Sequence, residues 1–600
     1  MTMSTHNTPV KNDASSAKQL AHLVSQLIEV VGDTQVLTTL AQQYAYLQGA
    51  GESYPSKALA VVIPHNLVQL WRVINLCAQA DVIIIAQAAN TGLTGGSTPY
   101  GSYDREVVVI SMQQLQGVHL LNDASELIAL PAASLQQLES ILEPLGREPH
   151  SVLGSSCVGA SVIGGICNNS GGMLVQRGPA YTEMALFARK NKLGQFELIN
   201  HLGLELGSDP EEMLENLQAG KFSSVNNETQ QTESPRLSCN AHYQTKVRDC
   251  DASTPARFNN DPSGLYEASG SAGRVIVFAV RVATFVKPYK EQTFYISSND
   301  TQTLTRLRQH WLKSDLKLPV LAEYMHGDYN QITLRYGKDT CLSMRKLSAS
   351  KIADLYRLRA KISYYLGKWH LPKTLPDRVL QVASIFMPAS LPHSLQQQAL
   401  SYRYHLIIKV ADDERSHNIA SAARFLKQHI SEYDGTVHTC SDKEAQALLV
   451  FRSAATAAMF RYYDLNKSNF GEMLSTDIAL PRNATDWDEQ LPEHLQNQVS
   501  KTFYLGHFFC HVLHQDYLLK PAVSLKAFKD ELLAFYTQRN IEYPAEHNVG
   551  HIYKANAELH HFYKKLDPTN SLNPGIGQTS KLRNWQSMPI MEDDNEKLYR

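Results

Sequence analysis

No stretch of this 600-residue chain is long and apolar enough to cross a bilayer. Its longest purely apolar runs are only a few residues, where a spanning helix needs about 20. Any membrane role is therefore expected to be peripheral. The opening MTMSTHNTPVKNDASS has no apolar core and does not read as a signal peptide. The eight cysteines include no CxxC and no paired spacing, so they read as reduced thiols of a cytoplasmic protein. A net charge of −2 lacks the basic excess of a nucleic-acid-binding chain, so no nucleic-acid partner is expected. Two phosphate motifs are missing as well. There is no GxxxxGK[ST], and no GxGxxG opening a helix. Internal repeats and low-complexity tracts are absent too.

What is present is globular: 43% hydrophobic residues, with length enough for more than one domain. Two long neutral stretches dense in Gly, Ser, Thr and Asn stand out. One is AANTGLTGGS, residues 88–97; the other is PHSVLGSSCVGASVIGGICNNSGG, residues 149–172. Such loops offer many backbone N–H groups with little side-chain bulk, which is what a pyrophosphate needs. Apolar runs at 59–64, 81–85, 107–110 and 127–130 predict buried strands. Between the first two, Leu67, Leu70, Trp71, Ile74 and Cys77 share one helical face. Ser134 and Gln137 have capping-box spacing ahead of a helix through Leu145. Further strands are expected at 274–281 and 402–411, and a helix near 417–430. Residues 208–262, polar and poor in aliphatic clusters, read as a surface insertion.

Residues 335–378 differ in composition. Eleven basic residues face three acids, so this stretch carries +8 and the rest of the chain −10. Leu355, Tyr356, Leu358, Ile362, Tyr364, Tyr365, Leu366 and Trp369 are interleaved with the charges. The pattern suits either an anionic bilayer surface or a solvated helix with one buried face.

Strand–helix–strand–AANTGLTGG, then PHSVLGSS, SVIGG, NNSGGMLVQRGPAYTEMALFAR and DPTNSLNPGIG near the end, resembles the FAD-binding domain of the vanillyl-alcohol-oxidase (PCMH) type. Over nearly its full length the chain resembles the quinone-dependent, membrane-associated D-lactate dehydrogenase family. The resemblance implies an α+β fold in which a two-subdomain FAD-binding PCMH-type domain is joined by an α+β cap domain and a basic membrane-binding insertion. The implied boundaries are 1–284 for the FAD-binding part, 285–334 and 401–534 for the cap, 335–400 for the basic region, and 535–600 for a segment returning to the FAD domain. It also implies noncovalent FAD, D-lactate and a membrane quinone as partners, an anionic phospholipid surface, and a place on the cytoplasmic face of the bacterial inner membrane. Carried over by residue, Ala88, Ala89, Asn90, Thr91, Gly92, Gly96 and Ser97 take the pyrophosphate. Gly154, Ser161 and Gly171 meet the cofactor from the second stretch, and Val277 meets it from a strand. His150 and Arg177 lie in its neighbourhood.

Oxidising a 2-hydroxy acid requires a base for the hydroxyl proton, a hydride acceptor and a hold on the carboxylate. GHFFCHVLHQDY supplies His507, His511 and His514; YPAEHNVGH supplies Glu546, His547 and His551. In related flavin-linked dehydrogenases the matching segments look like HxGDGNLH and GEHG. By that likeness His507, His514 and Glu546 are ligands of a divalent metal, with His507 and His514 binding the substrate carboxylate directly as the alternative. His547 is then the candidate base, and Arg461 the residue near the carboxylate. This chain departs from the pattern, with Phe509-Cys510-His511-Val512 in the hairpin and Ala545 in place of Gly. Ser475 stands where some relatives have Lys, which favours lactate over a diacid. Other 2-hydroxy acids, and a flavin-bearing membrane protein without turnover, are the rival readings.

Overall fold

The computed structural model describes residues 14–49, 56–150, 159–224, 235–347, 374–414 and 416–586, with isolated residues between 348 and 373. Ala60–Val62 and Ile83–Gln87 each pair in parallel with Val107–Ser111, and Val36–Leu37 adds an antiparallel edge. These strands are almost continuous apolar runs because both faces of a parallel sheet are covered. The helix Leu67–Gln79 between them starts where the Asn66 side chain accepts from the Gln69 N–H. It buries Leu67, Leu70, Val73, Ile74 and Cys77. Val73 thus takes the place expected for Trp71, which stays partly exposed because its ring is too large for the inner row. The first glycine-rich loop leaves the carboxyl end of Ile83–Gln87, where open α/β sheets bind ligands.

A six-stranded antiparallel sheet follows, built on the long central strand Ile276–Val286, whose far end pairs with Arg147–Pro149. Glu126–Ala129 and Ala185–Lys190 flank it, with Val118–Leu121 and Phe196–Asn200 outside them. Of these six, only the 127–130 and 274–281 strands are legible as apolar runs. Ser134 caps the helix Leu135–Leu142, accepting from the Gln137 N–H at 3.1 Å. From residue 159 on, the second glycine-rich stretch meets the start of that helix, with Ser161 bridging Ser134, and enters the short helix Val162–Cys167.

The third sheet has seven antiparallel strands in the order Thr436–Thr439, Lys290–Ser298, Tyr404–Asp412, Leu321–His326, Val499–His507, Val512–Leu519, Met473–Ala479. Helices Gly327–Tyr336, His393–Ser401 and Asp442–Leu465 cover one face. Thr301–Lys313, Asn418–Glu432 and Leu525–Gln538 cover the other. Alternation assigns residues to faces. Leu321, Met325, Phe503, Leu505 and Leu518 meet the first helix layer. Glu323, His507, Asp516 and His514 share that face in the same three adjacent strands, so a polar patch is set into an otherwise apolar face.

The 208–262 segment is more than a surface insertion, which corrects the compositional reading. Among its described residues are helices Pro210–Ala219 and Tyr243–Arg248; residues 225–234 lie outside the description. Tyr243, Val247, Ala256 and Arg257 are fully buried. The chain end is bound into the first half. Leu572 bridges Ile84, the Asn573 N–H donates to the Ile84 carbonyl at 2.9 Å, and the Asn573 side chain donates to the Gly96 and Ala272 carbonyls at 2.7 and 2.8 Å.

Candidate active site

The polar patch of the seven-stranded sheet adjoins a tight hairpin. Val499–His507 ends at His507, a 3₁₀ turn spans Phe508–Cys510, and His511 takes a left-handed conformation (φ 54°) to start the return strand. This turn replaces the glycine-rich GDGN of the resemblance. It brings the His507 and His514 rings to 5.4 Å between centroids, edge to face. Both aim Nε2 at one oxygen, Oε2 of Glu546, at 3.3 and 3.5 Å. All three donor atoms lie within 4.8 Å of one another.

Two other elements hold Glu546. Its Oε1 accepts from Arg257 Nη2, and Arg257 also donates to the Gly172 carbonyl at 2.7 Å. Its backbone N–H donates to Asp477 Oδ2 at 2.6 Å. The same Asp477 oxygen accepts the His547 N–H at 3.0 Å and lies 3.1 Å from His547 Nδ1. Asp477, toward the end of Met473–Ala479, therefore fixes both the loop and the ring. Burial opposes charge on His547, but Asp477 overcomes it and raises the imidazole to about 9. Burial likewise opposes charge on His507, and Glu323 with Glu546 outweighs it, giving about 10. His514, where burial wins, is pushed down to about 4. Glu546 is held well below the ordinary carboxylate range; burial works against this, and His507 and Arg257 prevail.

The segment 546–551 also touches both glycine-rich stretches. A Cβ on Gly171 would sit 2.5 Å from Glu546 Oε1, so only glycine lets that carboxylate through. Asn548 donates to the Asn168 side chain. Gly550 (φ 48°) lies against Thr94, and His551 donates its N–H to the Thr94 carbonyl at 3.0 Å while stacking on Tyr100. His551 is thus a brace for the first loop.

Within that loop, Asn90 (φ 53°) donates to the Gln48 carbonyl at 2.7 Å and accepts from Ser97 Oγ at 2.8 Å. The loop ends are stapled, and Ala88, Ala89, Thr91 and Gly92 are left as a bare backbone turn. A Cβ on Gly92 would meet open space, whereas Gly96 lies against Gly550. Ser161 caps Val162–Cys167, accepting from Gly164. Val277 stands where pairing with Ala185–Lys190 shifts register, which frees backbone groups of an otherwise central strand. Gly154 lies outside the described residues. A small apolar cavity of about 20 Å³, room for about one water, lies beside Val162 and Ile166 and is lined also by Leu135, Pro149, His150 and Tyr181. The first two features fit a dinucleotide such as FAD: a stapled donor loop and a second small-residue wall.

Arg461 is not brought to this cluster, which corrects its expected place by the substrate carboxylate. Its guanidinium pairs with Asp339, at 2.7 Å for Nη2, and with Asp377 at 3.4 Å, and it donates to the Tyr336 carbonyl. On the same helix, Asp442–Leu465, Arg452 reaches the site instead, 2.9 Å from Glu323 Oε2. Nine residues of helix put about 13 Å between the two positions. Cys510 packs in the core and donates to the His507 carbonyl at 3.3 Å. Arg177 is engaged by Glu148 and the Pro149 carbonyl, beside the buried His150, whose ring burial lowers to about 4. Reading the sequence missed Asp477, Glu323, Arg257 and Arg452. Only Asp477 had a signal, as the acid of the TDIALP segment.

The N-terminal half matches the family of FAD binding domains over residues 58–186, and residues 293–585 match the family described as D-lactate dehydrogenase, membrane binding. The quinone-dependent D-lactate dehydrogenase of Haemophilus influenzae is 44% identical over 571 residues, 94% of this chain and 99% of that protein. The chain belongs to the quinone-dependent D-lactate dehydrogenase family. Family members named so from Escherichia coli and Corynebacterium glutamicum are 44% and 38% identical, over 94% and 93% of this chain and 98% and 96% of theirs. Its fold extends beyond the dehydrogenase family. p-Cresol methylhydroxylase superposes with a TM-score of 0.56 at 12% identity, covering 94% of this chain and 97% of that one. Alkyldihydroxyacetonephosphate synthase gives 0.55 at 11%, covering 92% and 84%.

Proposed function

We propose that this protein oxidises D-lactate to pyruvate with noncovalent FAD and passes the two electrons to a membrane quinone. The observation that carries the reading is the segment 546–551, which touches both glycine-rich stretches while presenting His547 and Glu546 beside two further histidines. We assign residues 1–284 and 535–600 to holding the cofactor, 285–334 and 401–534 to the cap, and 335–400 to the membrane surface. The yellow protein should bleach under anaerobic D-lactate but not L-lactate, read by its flavin absorbance. A colourless protein that stays so with added FAD would end this reading.

The bound flavin supplies the hydride acceptor and the two-electron store from which quinone draws. Because His547 Nδ1 is tied to Asp477, Nε2 is the atom free to take the 2-hydroxyl proton. Asp477 holds the ring's orientation and stabilises the imidazolium once the proton has moved. His507, His514 and Glu546 would hold a divalent cation, which would polarise the hydroxyl. Their spacing suits one. Metal bonds of about 2.0–2.1 Å in a tetrahedron put donors about 3.3 Å apart, against 3.3 and 3.5 Å for the two His–Glu546 pairs, with all three donors within 4.8 Å. A His2Glu set leaves one position for substrate.

We place the protein at the cytoplasmic face of the bacterial inner membrane, on an anionic phospholipid surface. Among the described residues no helix is long and apolar enough to cross a membrane. The helix Leu375–Ala383 and the turn after it leave Val379, Val382, Ile385 and Phe386 60–88% exposed beside the +8 stretch, part of which lies outside the description between 348 and 373. An apolar ridge flanked by basic residues suits a lipid interface. Val382→Asp with Phe386→Asp should weaken binding to phosphatidylglycerol vesicles at least tenfold, since each side chain buried contributes about 1.5–3 kcal/mol. Unchanged sedimentation with vesicles would place attachment elsewhere.

A further inference from the structure

Glu323 is 1% exposed, in a row otherwise filled by Leu321 and Met325. An aliphatic residue would suit that row, and a carboxylate there is costly unless it is paired on both oxygens. Both are paired. Oε1 lies 2.6 Å from His507 Nδ1, and Oε2 lies 2.9 Å from Arg452. Strand register puts Glu323 directly opposite His507, so the contact is set by the backbone as well as by the side chains.

We infer that Glu323, clamped by Arg452, is a positioning residue that fixes His507 with its Nε2 toward His514 and Glu546, so that a cation displacing the Nε2 proton meets a preformed metal site. The inference rests on the reading of those three residues as ligands. An imidazole has one N–H in its neutral form. A carboxylate on Nδ1 can only accept, so it keeps that N–H on Nδ1 and leaves Nε2 as the donor to a cation. Without Glu323 the proton is free to sit on Nε2, where Glu546 Oε2 at 3.3 Å would accept it. The site would then close on itself as a hydrogen-bonded pair. Arg452 supplies the charge that makes the buried carboxylate tolerable and holds its plane.

The test uses full-length, FAD-loaded protein stripped by a chelator, with zinc(II) competed against a chromophoric chelator at neutral pH. Glu323→Gln keeps the side chain's size but offers an NH2 that can donate to Nδ1 and reverse the tautomer. Glu323→Leu removes the acceptor and matches the apolar row. Zinc affinity should fall ten- to hundredfold in both while flavin content stays at the wild-type value, and the metal-free Tm should fall because Arg452 loses its buried partner. Glu323→Gln binding zinc as the wild type does, with His507→Ala losing it, would overturn this inference alone. A joint loss of zinc and flavin in both variants would assign Glu323 to folding and overturn it too. If the wild type takes up no zinc, or His507→Ala takes up as much, the ligand reading fails and this inference with it.

Discussion

His547→Ala is expected to slow anaerobic reduction of the flavin by D-lactate by about 10²–10⁴-fold, the usual contribution of a positioned base, with flavin content unchanged. The ring is 41% exposed, so a substrate can reach it, yet its Nδ1 edge is spoken for by Asp477. Removing the ring deletes the proton acceptor and leaves the loop in place, because Asp477 still accepts the backbone N–H groups of Glu546 and of residue 547. The pH profile carries a sign. Only the neutral imidazole accepts a proton, and Asp477 raises its pKa to about 9. Water around the exposed part of the ring tempers that pull but does not reverse it. The reduction rate should therefore keep climbing with pH above 6.5, the ordinary histidine value. Asp477→Asn should move the limb down while lowering the plateau, because the ring loses both its charge partner and its fixed tautomer. A His547→Ala protein that bleaches at the wild-type rate would remove His547 from the reaction.

The parts of the fold legible in the sequence were those with one dominant local pattern. Buried parallel strands announce themselves as apolar runs, and the helix Leu67–Gln79 by its 3.6-residue period. Val118–Leu121 and Phe196–Asn200 carry no such run because they lie at the two edges of their sheet, half in solvent. The same logic divides the site. His507, His514, Glu546 and His547 lie in two short segments whose histidine content attracts attention. Their partners come singly from distant elements, and each looks ordinary in its own stretch. Glu323 reads as an isolated acid in an apolar strand, and Arg452 as one charge on a long helix. Arg257 sits in a stretch whose polarity argued for solvent. Arg461 shows the converse failure. A guanidinium next to a site segment in sequence is drawn off by two carboxylates, Asp339 and Asp377, that belong to neighbouring helices.

Arg257→Met is expected to destabilise the protein by about 3–5 kcal/mol, the cost of breaking a buried ion pair from one side. Arg257 and Glu546 are 1% and 8% exposed, and Glu546 is the one ion-pair partner of Arg257 among the described residues. The loss follows less from the missing attraction than from the carboxylate left behind, which would keep its desolvation and lose one of its two cationic partners, Arg257, retaining only His507. That distinction can be measured. Glu546→Gln in the Arg257→Met background removes the stranded charge, so the double variant should recover much of the Tm lost by the single one, and the cycle should show strong coupling. Purely lost packing predicts the opposite, two losses that add. The double variant should nevertheless stay inactive with D-lactate, because an amide at 546 cannot serve as an anionic donor beside His507 and His514. Recovered stability without recovered turnover would separate what Arg257 does for the fold from what Glu546 does for the chemistry, and additive losses would show that the pair is no more than packing.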